Sequence, residues 1–210
     1  AEGSVGRPAE TWAPRKDAGV VIGVDLLQHS VLLAVAQLDG EIIETDHRSG
    51  LSVDSSVRFR NVLDLISKHV TEGTAGPPRA IVISTTGTVD LDGRLMRSDA
   101  VPQWEGFDLG KELSQRLRLP VRIENDVNAA AFGEFALRCG DGSLSPGDDL
   151  LLIALSRAIV TGLVMNGKLH RGHRQNAGEV GLRIVDGVGL SPGSLARAAE
   201  SIGTVSAVLD

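Results

Sequence analysis

The chain has 210 residues, of which 42% are hydrophobic and 23% charged, with a net charge of −6. That balance is ordinary for a globular domain and gives no basic face of the kind a free-standing nucleic-acid binder carries. A single cysteine, Cys139, excludes an internal disulfide and a cysteine-rich zinc site, which points to a cytoplasmic protein. No apolar run nears the ~20 residues that span a bilayer, and 3% aromatic content without tyrosine offers little for base stacking.

Residues 1–18 are polar and carry Gly3, Gly6, Pro8 and Pro14, which predicts an arm or linker without its own core. The apolar run at 20–25 predicts a strand buried on both faces. A second strand is expected at 31–37. Asp39-Gly40 marks a tight turn, and a third strand resumes at 41–43, making an antiparallel meander. Asp54 or Ser55 caps the next helix, whose apolar face is read as Phe59, Val62, Leu63, Ile66 and Val70. A buried strand at 80–84, a short helix at 108–117, a short strand at 121–123 and an Ala-rich helix at 128–137 follow. After a loop at 140–149 come strands at 150–155 and 162–165, with Asn166-Gly167 as a hairpin signal, and a final helix at 193–209. A meander, a helix, a strand and another helix, followed by a second meander, is the order expected of two α/β lobes flanking a cleft.

The most specific feature is Glu124-Asn125-Asp126-Val127-Asn128-Ala129-Ala130-Ala131, where a strand meets a helix. A carboxylate held at such a junction faces the cleft. It can accept from a ligand hydroxyl, or act as a base if a phosphate donor lies in line. The competing reading is that Asn125 and Asp126 only cap the helix. This motif resembles that of the ROK family (repressor, open reading frame, kinase). Four further segments resemble the family in the right order. They are Gly87-Thr88-Val89-Asp90, Val101-Pro102-Gln103-Trp104-Glu105-Gly106, the segment from Leu163 to Gly172, and Ala177-Gly178-Glu179-Val180-Gly181. The resemblance covers about residues 19–186. It implies an α/β, two-lobed actin-like and hexokinase-like ATPase fold with ribonuclease H-like lobes, the second lobe incomplete. It also implies that Asn125 and Glu179 contact sugar hydroxyls and that Asp126 stands where a kinase holds its base. His173 is a further candidate sugar contact.

The departures separate kinase from regulator. Kinases of the family place Asp-x-Gly-Gly-Thr-Lys after the first strand, whereas here the run is Asp25-Leu26-Leu27-Gln28-His29-Ser30. A phosphate cradle needs bare backbone N–H groups, and Leu side chains obstruct it. The second phosphate loop reads Ser156-Arg157-Ala158-Ile159-Val160, with only Gly162 beyond it. Leu182 replaces the family's zinc-site His, no Cys follows, and Ala100 stands where an Asn contacts sugar. Gly6-Arg7-Pro8 resembles the segment that follows the winged helix-turn-helix of the family's repressors.

The resulting expectation has three segments: an arm at 1–18 after a DNA-binding domain outside this chain, a first lobe at 19–118, and the start of a second at 119–210. The function expected is a sugar-responsive effector domain of a transcriptional regulator. No catalytic activity, cofactor, metal or membrane contact is expected; Asp126 is a vestigial base. A homodimer or other homo-oligomer is expected, with DNA bound through the other domain. Two alternatives stay open: an active kinase of a hexose or amino sugar, and a structural dimerisation lobe without ligand.

Overall fold

In the computed structural model, which describes residues 15, 18–73, 76–98, 101–155, 159–180, 184–185 and 188–189, the first strands form the expected meander. Strands β1 (Val20–Leu26), β2 (Ser30–Gln37) and β3 (Ile42–Ser49) pair antiparallel. The third strand is longer than the sequence suggested. Its Glu44, Thr45 and Asp46 are polar because β3 is an edge, so an apolar pattern could not report them. β4 (Pro78–Thr85) and β7 (Val121–Asn125) then add parallel to β1, giving the order β3-β2-β1-β4-β7. A small hairpin, β5 (Thr88–Val89) with β6 (Leu95–Arg97), follows β4.

Helices α1 (Ser55–Glu72) and α2 (Leu109–Leu117) share one core with this sheet, in which Ile22, Leu26, Leu33, Leu65, Ile83 and Leu113 are fully buried. Asp54 is the α1 cap, accepting from the Ser56 and Val57 N–H groups at 3.0 and 2.9 Å. The buried face of α1 is Arg58, Val62, Leu65, Ile66 and His69, a stripe rotated from the predicted one; Phe59, Leu63 and Val70 pack only at its margin. Two polar residues turn inward because each finds partners. Arg58 donates to the carbonyls of Leu27 and Gln28. The His69 ring lies between Glu44 and Asp46 of β3, 3.2 Å from each.

The reading of β1 as buried on both faces is wrong among the described residues. Val20, Ile22, Val24 and Leu26 are buried, but Gly23 is exposed, as are Val82 on β4 and Leu32 on β2. Unbroken apolarity measures hydrophobicity and does not show which layers are present to cover it. The 118/119 boundary moves too. β7 is the fifth strand of the first sheet, because Ile81 to Thr85 pair with Val121 to Asn125, so that sheet runs to Asn125.

α3 (Asp126–Gly140) starts at the next residue and packs on a second sheet, β8 (Leu150–Leu155), β9 (Ile159–Met165) and β10 (Lys168–Leu169), in the order β10-β9-β8. Its core is separate: Ala131, Phe135 and Val164, with Leu150, Leu152 and Leu169 against them. Gly162 faces α3, where a Cβ would stand 2.4 Å from that of Ala131 and 2.7 Å from the Val127 carbonyl oxygen. The glycine thus serves helix–sheet packing. Asn166 and Gly167 both have positive φ, as the β9–β10 hairpin requires. Leu151, Ile153 and Leu155 project from the β8 face away from α3 and are exposed. A short pair, β11 (Ile184–Val185) with β12 (Val188–Gly189), ends the described chain. The helix expected at 193–209 lies outside the described residues, as do the arm at 1–14, Ala100, Leu182 and 156–158 of the second phosphate loop. Among the described residues no helix is long and apolar enough to cross a membrane.

Candidate functional site

The carboxyl ends of the parallel strands β1, β4 and β7 lie side by side, the place where open α/β sheets collect ligand-binding groups. Register alone gathers Asp25, Ser84 and Glu124 in one row, and Leu26, Thr85 and Asn125 in the next. Ser84 Oγ donates to Asp25 Oδ1 at 2.7 Å. Burial pushes the Asp25 carboxyl above its usual range against that hydrogen bond, and the nearby charge of Asp126 adds to the rise.

Asn125 is the last residue of β7 and the N-cap of α3. Its Oδ1 accepts from the Asn128 N–H at 2.9 Å, and its Nδ2 donates to the Gly87 carbonyl at 2.8 Å. The capping role weighed from the sequence is therefore real, and it takes one of the two lone pairs of Oδ1. One lone pair and one amide hydrogen remain. Asp126 opens the first turn of α3. Its Oδ2 accepts from Thr86 Oγ1 at 3.1 Å, and its Oδ1 from the Val127 N–H at 2.9 Å. The side chain stays part-exposed, with lone pairs left to accept from a hydroxyl.

Glu179 and His173 come from the segment after β10. A chain of hydrogen bonds ties that segment to the first sheet. Gly87, which takes the Asn125 amide, precedes Thr88, whose Oγ1 donates to Asn176 Oδ1 at 3.0 Å. Gly178 accepts from the Thr161 N–H at 2.8 Å. With φ +92° and a would-be Cβ 1.8 Å from the Thr161 carbonyl oxygen, position 178 admits no side chain. Glu179 follows and is half-buried, whereas His173 lies in an exposed turn. Asn125 and Asp126 thus stand side by side at the β7–α3 junction, and the segment that carries Glu179 is held to Thr88 and Thr161. His173 shows no such link.

The loop between β1 and β2 is held by hydrogen bonds of its own and by Arg58. The Leu27 N–H donates to the Ser30 carbonyl at 3.0 Å, and the Leu27 and Gln28 carbonyls are held by Arg58. Arg58 is 2% exposed, and that burial lowers its pKa. Asp25, Thr88, Glu124 and Arg171 lie in segments that the sequence singled out, but no role beside the site was read for them, and Thr86 was not named. A cavity of about 460 Å³ beside β7 is lined by Asp90, Asp92, Lys111, Arg122, Glu124 and Arg171, without Asn125 or Asp126.

This geometry agrees with a match of residues 21–194 to the ROK family. The chain belongs to the ROK family. The xylose repressor of Bacillus subtilis is 26% identical over 187 residues, covering 88% of this chain and 47% of the repressor. The glucokinase of Streptomyces coelicolor is 30% identical over 164 residues, covering 78% of this chain and 49% of the enzyme. A ROK family glucokinase from Streptomyces griseus, solved in complex with glucose and AMPPNP, aligns with a TM-score of 0.68 at 27% identity. It covers 87% of this chain and 61% of its own. ROK repressors and ROK sugar kinases are thus both homologues, and the fold is the actin-like, hexokinase-like one. The chain spans about half the length of these curated relatives.

Proposed function

We propose that this ROK domain is the sugar-responsive effector part of a cytoplasmic transcriptional regulator and does not transfer phosphate. The observation that carries the reading is the loop after β1. Leu27 and Gln28 present carbonyls to Arg58, and the Leu27 N–H is taken by Ser30, where a phosphate would need free N–H donors. A base without a held donor contributes nothing to turnover, so Asp126 serves as an acceptor for a sugar hydroxyl. Asn125 and Glu179 complete the pocket in this reading, with His173 at its edge. Sugar binding shifts the lobe arrangement by its differential affinity for the two states. A partner copy and a DNA-binding domain outside this chain would read out that shift.

The kinase alternative rests on Asn125, Asp126 and Glu179, with Asp25 of β1 as a second carboxylate near Asp126. Calorimetry of the full-length protein with D-glucose and D-xylose, alongside an ATP-coupled assay for ADP, separates the readings. The expected result is sugar binding without sugar-dependent ADP release. Glu179→Ala should weaken that binding about 10- to 150-fold, the loss of one charge-assisted hydrogen bond. ADP release above an Asp126→Ala control would establish the kinase. No binding of a broad sugar panel at millimolar concentration would leave a structural dimerisation lobe.

A further inference from the structure

Glu124 precedes Asn125 on β7, yet it is 8% exposed. A carboxylate so placed needs a partner, and it has two. Its Oε1 accepts from the Asn125 N–H at 3.1 Å. Its Oε2 accepts from Arg171, from Nε at 3.1 Å and from Nη2. Arg171 belongs to the other lobe, two residues past the end of β10. Its carbonyl accepts from the Ala177 N–H at 3.0 Å, which closes residues 171–177 into a loop. That segment meets the first sheet at Glu124 through Arg171, the β5–β6 hairpin at Thr88 through Asn176, and β9 at Thr161 through Gly178. His173 lies between the first two anchors, and Glu179 follows the third.

We infer that Glu124 and Arg171 are positioning residues, whose ion pair docks the 171–179 segment against the end of β7. That docking fixes where Glu179 meets a ligand held by Asp126. The inference rests on the sugar-pocket reading for its binding consequence but not for the docking itself. Glu124 adjoins the cleft residues in sequence and touches the opposite lobe in space, so it couples lobe position to the pocket without contacting the sugar. A purely architectural ion pair would predict a general loss of stability. A positioning pair predicts a local one.

The test uses full-length protein carrying Glu124→Gln, which keeps shape and acceptor but drops the charge. Arg171→Lys, which keeps charge but offers Glu124 one donor group instead of two, is the second variant. Limited trypsin cleavage after the exposed Arg174 reports docking, and thermal unfolding reports the lobes. Cleavage after Arg174 should rise about tenfold in both variants, the effect of losing one charge-assisted contact, while the unfolding midpoint moves by only a few degrees. With D-glucose or D-xylose, Glu124→Gln should weaken binding in the wild-type background and cost nothing further in Glu179→Ala, because it acts through Glu179. Unchanged cleavage in both variants, or binding losses that simply add, would overturn the inference. If the wild type binds neither these sugars nor a broader panel, the pocket reading fails, and the cleavage result alone decides the docking.

Discussion

Arg58 offers the sharpest energetic test, because its guanidinium is buried in the first core and binds two backbone carbonyls of the loop after β1. Hydrogen bonds from a charged donor contribute about 1.5–3 kcal/mol each, but two effects pull the net value down. Leu27 and Gln28 are themselves exposed, so their carbonyls can hydrate once released. Burial of the charge with Nε unpartnered has a desolvation cost that an apolar replacement removes. The stacking over Trp104, 5.9 Å to the ring centroid, is at the outer range of a cation–π contact and adds about 0.5 kcal/mol. Arg58→Met, which fills most of the volume, should therefore destabilise by about 1–2 kcal/mol. Arg58→Ala adds a cavity and should reach about 3–5 kcal/mol. Urea unfolding of both variants, extrapolated linearly, gives the two numbers. Equal losses would refute the separation of packing from hydrogen bonding, and a Met variant more stable than wild type would refute any net contribution from the loop carbonyls.

Gly162→Ala should cost about 1–3 kcal/mol by pushing α3 off β9, and adding Ala131→Gly should recover part of it in the same melts, since the clash is with the Ala131 Cβ. Asp25 gives a pH prediction. Its folded pKa is raised above 3.8, so the native state holds the proton more tightly and stability falls as pH rises from 3.8 through the folded value. Asp25→Asn should thus unfold at higher temperature than wild type at pH 7, and the gap should close below about pH 3.8. A gap independent of pH would remove burial as its cause.

The elements were legible wherever one residue pattern had one cause. The cap at Asp54 or Ser55, the turn at Asp39-Gly40, the Asn166-Gly167 hairpin and a strand-to-helix change between 123 and 128, which the structure puts at 125/126, each follow from local chemistry. The α1 face was misjudged because Arg58 and His69 count as polar in any periodicity, yet they are buried once β3 and the 27–28 carbonyls supply partners. The membership of β7 was invisible for a related reason: a five-residue strand carries no mark of which sheet accepts it. Of the candidate site, Asn125 and Asp126 were found through their motif. Their neighbour Thr86 was not, since a threonine after a strand has many uses and only the fold puts its hydroxyl near the Asp126 carboxylate.

No residue separates β7 from α3: Asn125 ends one lobe's sheet and Asp126 begins the helix that carries the other. Most two-lobed proteins articulate through a spacer remote from the ligand. Here a swing about that junction would be taken up by the backbone torsions of the two residues that carry the amide and the carboxylate, so a rotation of a few degrees there would re-aim both groups at once.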